Sequence, residues 1–194
     1  MKRRIALATL STLAAGSFSA LQAQTTAASA APVAGSAAAL VKAGGCVVML
    51  RHAQTEPGVG DPPGFRLDQC ATQRNLSDAG RAQSRRIGLW FSSRGLVPAA
   101  VRSSEWCRCK DTAELAFGRF EVLPALSSTF AGQGDERQST PQLRALAGKV
   151  AAGRFEVWVT HQVNITALTG DVPAMGEAYI LGPDAKILAR TTFG

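Results

Sequence analysis

Residues 46–52 read Cys46-Val47-Val48-Met49-Leu50-Arg51-His52. Five apolar residues in a row, after Gly44-Gly45 and without polar alternation, suit a strand buried on both faces, as in a parallel sheet covered by helices. The run ends abruptly on a cation and an imidazole. The pattern returns once more. Phe155-Glu156-Val157-Trp158-Val159-Thr160 has an apolar centre and ends on His161. The chain holds 2 histidines, and each directly follows one of these expected strands.

Between and around these strands the chain alternates. Residues 54–73 are rich in Pro, Gly and Asp and predict a long loop, a feature that compact domains usually reserve for function. Ser77 is a good N-cap with Asp78 in the first turn, so a helix is expected to run to about Arg94 and stop at Gly95. Ala99-Ala100-Val101 predicts a short strand leading to Arg102-Ser103-Ser104. A helix follows from about Trp106 to Gly118, and a strand at 120–123 is halted by Pro124. A looser segment carries the acidic pair Asp135-Glu136. Thr140-Pro141 is expected to start a helix that Gly153 ends. A short helix at 164–168 is capped by Gly170, and residues 177–191 read as a hairpin turning at Gly182-Pro183-Asp184. Strands alternating with helices predict an α/β protein, a three-layer α/β/α sandwich with a mostly parallel central sheet. In such sheets ligands bind beyond the carboxyl ends of the strands. Arg51, His52, Ser103-Ser104 with Arg108 just beyond, and His161 all fall there. The sequence has no internal repeat, no GxGxxG and no P-loop pattern.

The chain has 194 residues, and its first stretch does not belong to that core. Met1-Lys2-Arg3-Arg4 is basic, no charge follows until Lys42, and residues 5–20 are rich in Ala, Leu and Ser. With Leu21-Gln22-Ala23 as a small-residue cleavage site, residues 1–23 read as a signal peptide. Cleavage after Ala30 is a second option. The Ala and Ser content makes the run only mildly hydrophobic, which disfavours an uncleaved membrane anchor. Residues 24–39, uncharged and poor in large apolar side chains, read as a flexible linker. Residues 40–194 then form one domain of ordinary size. A periplasmic or secreted location follows from this reading, without stable membrane association after cleavage.

Without Lys2, Arg3 and Arg4 the net charge falls from +7 to +4. That modest excess, with no run of like charges and no basic stripe, argues against nucleic acid and suits a small anionic substrate. Of the 4 cysteines, Cys107 and Cys109 lie one residue apart, but there is no second pair with metal-ligand spacing. No Cys-x-x-Cys starts a helix either, which disfavours a thiol-disulfide exchange protein. Cys46 reads as a buried thiol.

Two histidines with arginines at strand ends suit phosphoryl transfer. Neutral imidazole is a competent nucleophile near pH 7. The phosphoryl group spreads charge over three equatorial oxygens, so catalysis is mainly positioning and cationic stabilisation. Arginine offers those oxygens planar, bidentate donors. A pocket of this kind needs no metal and no cofactor.

Four segments in order resemble the histidine phosphatase (phosphoglycerate mutase-like) superfamily. Leu50-Arg51-His52-Ala53-Gln54-Thr55 is similar to its Arg-His-Gly motif, with Ala53 in place of the glycine. Asn75-Leu76-Ser77-Asp78-Ala79-Gly80 resembles the start of its following helix. Val101 to Ala113 is similar to its Ser-Ser…Arg…Thr-Ala segment, and Val157 to His161 to the strand that delivers the second histidine. The resemblance implies a metal-independent phosphatase acting on a phosphorylated small molecule. His52 would be the nucleophile that becomes phosphohistidine, Arg51 and Arg108 would bind the phosphoryl oxygens, and His161 would complete the pocket. Thr55 stands where the family often has a hydroxyl near the phosphate, and Arg102 lies off the family spacing. The proton donor departs from the pattern. Gln162 follows the second histidine where one branch has Asp, and Glu105, Asp135 and Glu136 are the remaining candidates for a general acid. A phospho-ligand-binding module that has lost its acid is the alternative. Cys70 lies in the loop after the first strand and Cys107 opens the helix after Ser103-Ser104. Both should fall near the pocket rim, and a disulfide between them is expected.

Overall fold

The apolar run at 46–51 is β1 (Cys46–Arg51), in a computed structural model that describes residues 34–193. The chain continues through β2 (Ala100–Ser103), β3 (Glu121–Val122), β4 (Phe155–Thr160), β5 (Glu177–Leu181) and β6 (Ile187–Thr192). They form one sheet in the order β3-β2-β4-β1-β5-β6. The pairs β1/β4, β2/β4 and β2/β3 are parallel. The hairpin of β5 and β6 adds antiparallel pairs along one edge.

Five helices cover the sheet: α1 (Ala34–Ala43), α2 (Asp78–Ser92), α3 (Cys107–Phe117), α4 (Glu136–Ala147) and α5 (Gln162–Thr169). Alternate residues of β1 serve the two faces. Cys46, Val48 and Leu50 pack with Val41 of α1, Phe91 of α2 and Ala113 of α3. Val47 and Met49 pack with Leu143 of α4 and Ile165 of α5. Because both faces are covered, no polar alternation was needed in β1, which is why its sequence is continuously apolar. The expected three-layer sandwich with a mostly parallel sheet is the fold.

Two expected boundaries move. The linker assigned to 24–39 ends sooner, because α1 begins at Ala34, and Ala37 and Val41 are 1 % exposed. Its alanines favour helix and are small enough to lie close to the sheet. The signal peptide expected at 1–23 and the first part of the linker lie outside the described residues. The helix expected from Thr140 starts at Glu136, and it ends at Ala147 rather than near Gly153. Asp135 caps it by accepting from the backbone N–H groups of Arg137 and Gln138 at 2.9 and 3.3 Å. Pro141 is carried inside the helix. The carbonyl it cannot serve is that of Arg137, an exposed residue. Among the described residues no helix is long and apolar enough to cross a membrane.

The parallel register places the site. Arg51 lies opposite Thr160, and the His52 backbone N–H donates to the Thr160 carbonyl at 2.9 Å. His52 and His161 therefore leave the sheet at one end. The start of α2 closes over the chain just after His52. A Cβ on Gly80 would stand 1.8 Å from the Gln54 carbonyl oxygen, so only glycine allows this approach.

Candidate active site

A cleft of about 320 Å³ opens beyond the ends of β1 and β4. Arg51, His52, Arg108 and His161 all line it. The two imidazole rings stand edge to face with centroids 5.5 Å apart. Four residues separated by up to 110 positions thus meet at one sheet end, and Arg74 and Asp61 of the long loop join them.

The hydrogen bonds of His52 fix its tautomer. Nδ1 lies 2.9 Å from the Ala53 carbonyl oxygen, which can only accept, so Nδ1 carries the proton. Nε2 is left with its lone pair. Burial, with Arg108 and Arg51 nearby, pushes the His52 pKa down to about 3. The ring is therefore neutral at ordinary pH, with an unshared electron pair on Nε2. His161 is pushed well below its usual value by burial and by the neighbouring His52 and Arg108. Its Nε2 lies 2.8 Å from the Ser104 hydroxyl and its Nδ1 3.5 Å from Arg108 Nη2. Arginine can only donate, so Nε2 carries this proton, toward Ser104.

The arginines converge. Arg51 Nη1 donates to the Pro173 carbonyl at 2.7 Å. Arg74 Nη1 donates to the Thr55 hydroxyl at 2.7 Å and to the Gly58 carbonyl at 2.9 Å. Arg108 Nη1 donates to Asp61 Oδ1 at 2.7 Å. Among the described residues six buried side-chain polar atoms lack a partner, and three of them are the Nε atoms of Arg51, Arg74 and Arg108. The side chains of Arg51, Arg74 and Arg108 all line one cleft, and cationic planar donors gathered in this way suit an anion.

Asp61 and Arg74 carried no expectation. The Asp61 side chain is 2 % exposed. Its carboxylate accepts from Arg108, from the Arg74 backbone N–H at 3.0 Å and from Trp106 Nε1 at 3.0 Å. Burial alone would raise its pKa, but these donors outweigh it and hold it below the ordinary carboxylate value. Asp61 is thus an ionised anchor for Arg108. The only available signals were a carboxylate in a functional-looking loop and an arginine just before Asn75-Leu76-Ser77.

The remaining candidates fall elsewhere. Thr55 does not line the cleft; its hydroxyl steadies Arg74 from behind. Glu105 accepts from the Ser127 hydroxyl at 3.0 Å, Asp135 caps α4 and Glu136 is exposed in its first turn, and none of the three lines the cleft. Gln162 does line it, but an amide cannot supply a proton as an acid. Arg102 pairs with Glu156 and Glu121, away from the cleft. Cys70 and Cys107 are joined in a disulfide, which fastens the loop to the first turn of α3. Cys109 is a buried thiol pushed up to about 12 by burial, and so unreactive.

Residues 47–144 match the model of the histidine phosphatase superfamily, branch 1. His161 lies beyond the matched segment and is brought to the cleft by the β1/β4 pairing. Solved structures of similar fold include SixA of Agrobacterium tumefaciens, 19 % identical with a TM-score of 0.53, covering 76 % of this chain and 97 % of that one. A protein histidine phosphatase SixA complexed with tungstate is 19 % identical with a TM-score of 0.53, covering 76 % and 96 %. The mycobacterial glucosyl-3-phosphoglycerate phosphatase Rv2419c is 21 % identical with a TM-score of 0.52, covering 70 % and 88 %. At these identities the likeness is one of fold. No curated protein matches the sequence significantly.

Proposed function

Because the chain belongs to the histidine phosphatase superfamily, branch 1, and is a phosphatase, we propose that it hydrolyses a phosphomonoester through a phosphohistidine at His52, without a metal, outside the cytoplasm. The observation that carries the mechanism is the convergence of the Arg51, Arg74 and Arg108 side chains on the cleft that holds neutral His52. The phosphoryl oxygens take guanidinium N–H donors from these side chains. Nε2 of His52 forms a bond to phosphorus as the bond to the leaving oxygen breaks, and that oxygen takes a proton from water in the cleft. A second water then displaces His52 and releases inorganic phosphate. Arg51, Arg74 and Arg108 hold the charge that the transition state spreads over the oxygens, which is the task a metal performs elsewhere.

Export is supported by the basic and apolar pattern of residues 1–23 and by the Cys70–Cys107 disulfide, since such bonds persist in oxidising compartments. Intact mass of the periplasmic fraction should show loss of at least residues 1–23, and a full-length membrane-held species would overturn export.

Rapid quench with ³²P-labelled ester should trap an acid-labile, base-stable adduct on the peptide containing His52. His52→Ala should abolish both adduct and turnover. Full activity in His52→Ala, or turnover with no adduct in the unsubstituted protein, would end this mechanism.

A further inference from the structure

The charged lining of the cleft consists of Arg51, Arg74 and Arg108 against Asp61, beside two uncharged imidazoles. Three cations and one anion leave two positive charges. A phosphomonoester carries close to two negative charges at neutral pH. The phosphoryl group alone therefore balances the cleft. No lining cation is left for a carboxylate or a second phosphate on the leaving group.

The rest of the lining is of another character. Val59, Phe130, Val163 and Met175 are apolar side chains of the same cleft. Val59 is 90 % exposed and Phe130 45 % exposed, so two large apolar groups stand in water beside an anion site. Their placement is built in. Val59 sits between Gly58 and Gly60, whose φ of +133° and +70° favour glycine. The built position of a Cβ on Gly60 would lie 3.4 Å from the Phe130 ring, ordinary contact distance, so the two segments lie side by side. Exposed apolar side chains grouped at a cleft are commonly a binding surface.

We propose that the leaving group of the substrate is uncharged and presents an apolar face, which Val59 and Phe130 cover while the arginines hold its single phosphate. The inference rests on the phosphatase reading above and names the substrate class of that same site. The net reaction takes the ester and water to an apolar-faced alcohol and inorganic phosphate.

Three phosphates of primary alcohols, alike at the leaving oxygen, test it: 2-phenylethyl phosphate, glycerol 3-phosphate and 3-phosphoglycerate. The expected kcat/KM falls in that order, by about tenfold or more from the first to the second, the size of effect an apolar contact gives. Phe130→Ser and, independently, Val59→Ser should compress the ratio of the first two toward one. Turnover that depends on His52 but is equal or faster with 3-phosphoglycerate would overturn the inference and leave the phosphatase intact. Unchanged ratios in both variants would also overturn it. No His52-dependent turnover of any ester would overturn the phosphatase reading, and the inference with it.

Discussion

The cleft has a wall made by strand ends and a wall made by the loop at 54–76, and different forces hold them. On the strand side, Arg51 ends β1, and His52 and His161 follow two parallel strands in register, whose apolar residues are almost fully buried on both faces. Moving any of them means moving core. On the loop side, Asp61 and Arg74 are held by point contacts. These are the Cys70–Cys107 disulfide, the three donors to Asp61, and the Asn75 amide donating to the Cys70 carbonyl at 2.6 Å. In the proposed mechanism the sheet fixes the atoms that would react, whereas the loop fixes how the guanidinium groups are aimed and what the leaving group would meet. Arg108 belongs to both, since it is rooted in the first turn of α3 and aimed by Asp61 of the loop.

If that division is right, replacement of a phosphate-binding arginine should have the largest effect of the variants that follow. Arg51→Lys or Arg108→Lys keeps the charge but loses the planar fork. A fall in kcat/KM of about 10²–10³-fold is expected, the cost of removing one preorganised donor. Steady-state kinetics on 2-phenylethyl phosphate measure it, and a change below about threefold in both variants would deny the arginines their role.

The loop wall should break next, and as a matter of stability before chemistry. The disulfide closes a segment with a sequence separation of 37 residues. Cys70→Ser/Cys107→Ser should lose about 4 kcal/mol in the chain-entropy account, or roughly 12 °C in Tm for a domain of this size. His52 chemistry should survive at low temperature, because the disulfide touches no strand of the sheet. Equal Tm values with and without the disulfide, by calorimetry, would show that the loop needs no fastening.

The same division decides what could be read from the sequence. Strand-end residues were legible because β1 is continuously apolar, β4 has an apolar centre, and the two stop on Arg51-His52 and His161. A strand buried on both faces announces itself locally, and the parallel sheet then dictates where its end must be. Arg108 was legible only through its spacing after Ser103-Ser104. Asp61 and Arg74 were not legible. Their partners lie 47 and 19 residues away in Arg108 and Thr55, and nothing in a loop of Gly and Pro gives such contacts a period. Thr55 was misjudged for the same reason, because its hydroxyl is occupied by an arginine that carried no expectation. The early start of α1 was missed because alanine and glycine composition suits a linker and a closely packed helix alike.

Asp61→Asn sharpens the comparison further. It removes the carboxylate that aims Arg108 while leaving every cation in place. Phosphate should bind at least as tightly, because the cleft gains net positive charge, yet kcat should fall about tenfold as the misaimed guanidinium stabilises the transition state less well. KM unchanged or lowered with kcat reduced is the signature of a positioning residue. A raised KM with unchanged kcat would mean that Asp61 serves binding instead. Asp61→Glu, which restores the charge on a longer arm, should recover part of the rate.

The smallest effects should come from the candidate carboxylates that line neither wall. A general acid must reach the leaving oxygen directly or through one water. Glu105 is tied to the Ser127 hydroxyl at 3.0 Å, and Asp135 is engaged in capping α4. Glu136 is exposed at the start of that helix, and none of the three lines the cleft. Glu105→Gln, Asp135→Asn and Glu136→Gln should each change kcat/KM by less than about twofold, and equally for alkyl and aryl esters, whereas loss of a true acid costs about 10²–10⁴-fold and spares activated aryl esters. Asp135→Ala should instead show in stability, by about 1 kcal/mol for the lost cap, with turnover unchanged. A selective loss on 2-phenylethyl phosphate relative to phenyl phosphate in any one of the amide variants would place an acid outside both walls. That result would add a third segment to the chemistry, one that neither the sheet nor the loop positions.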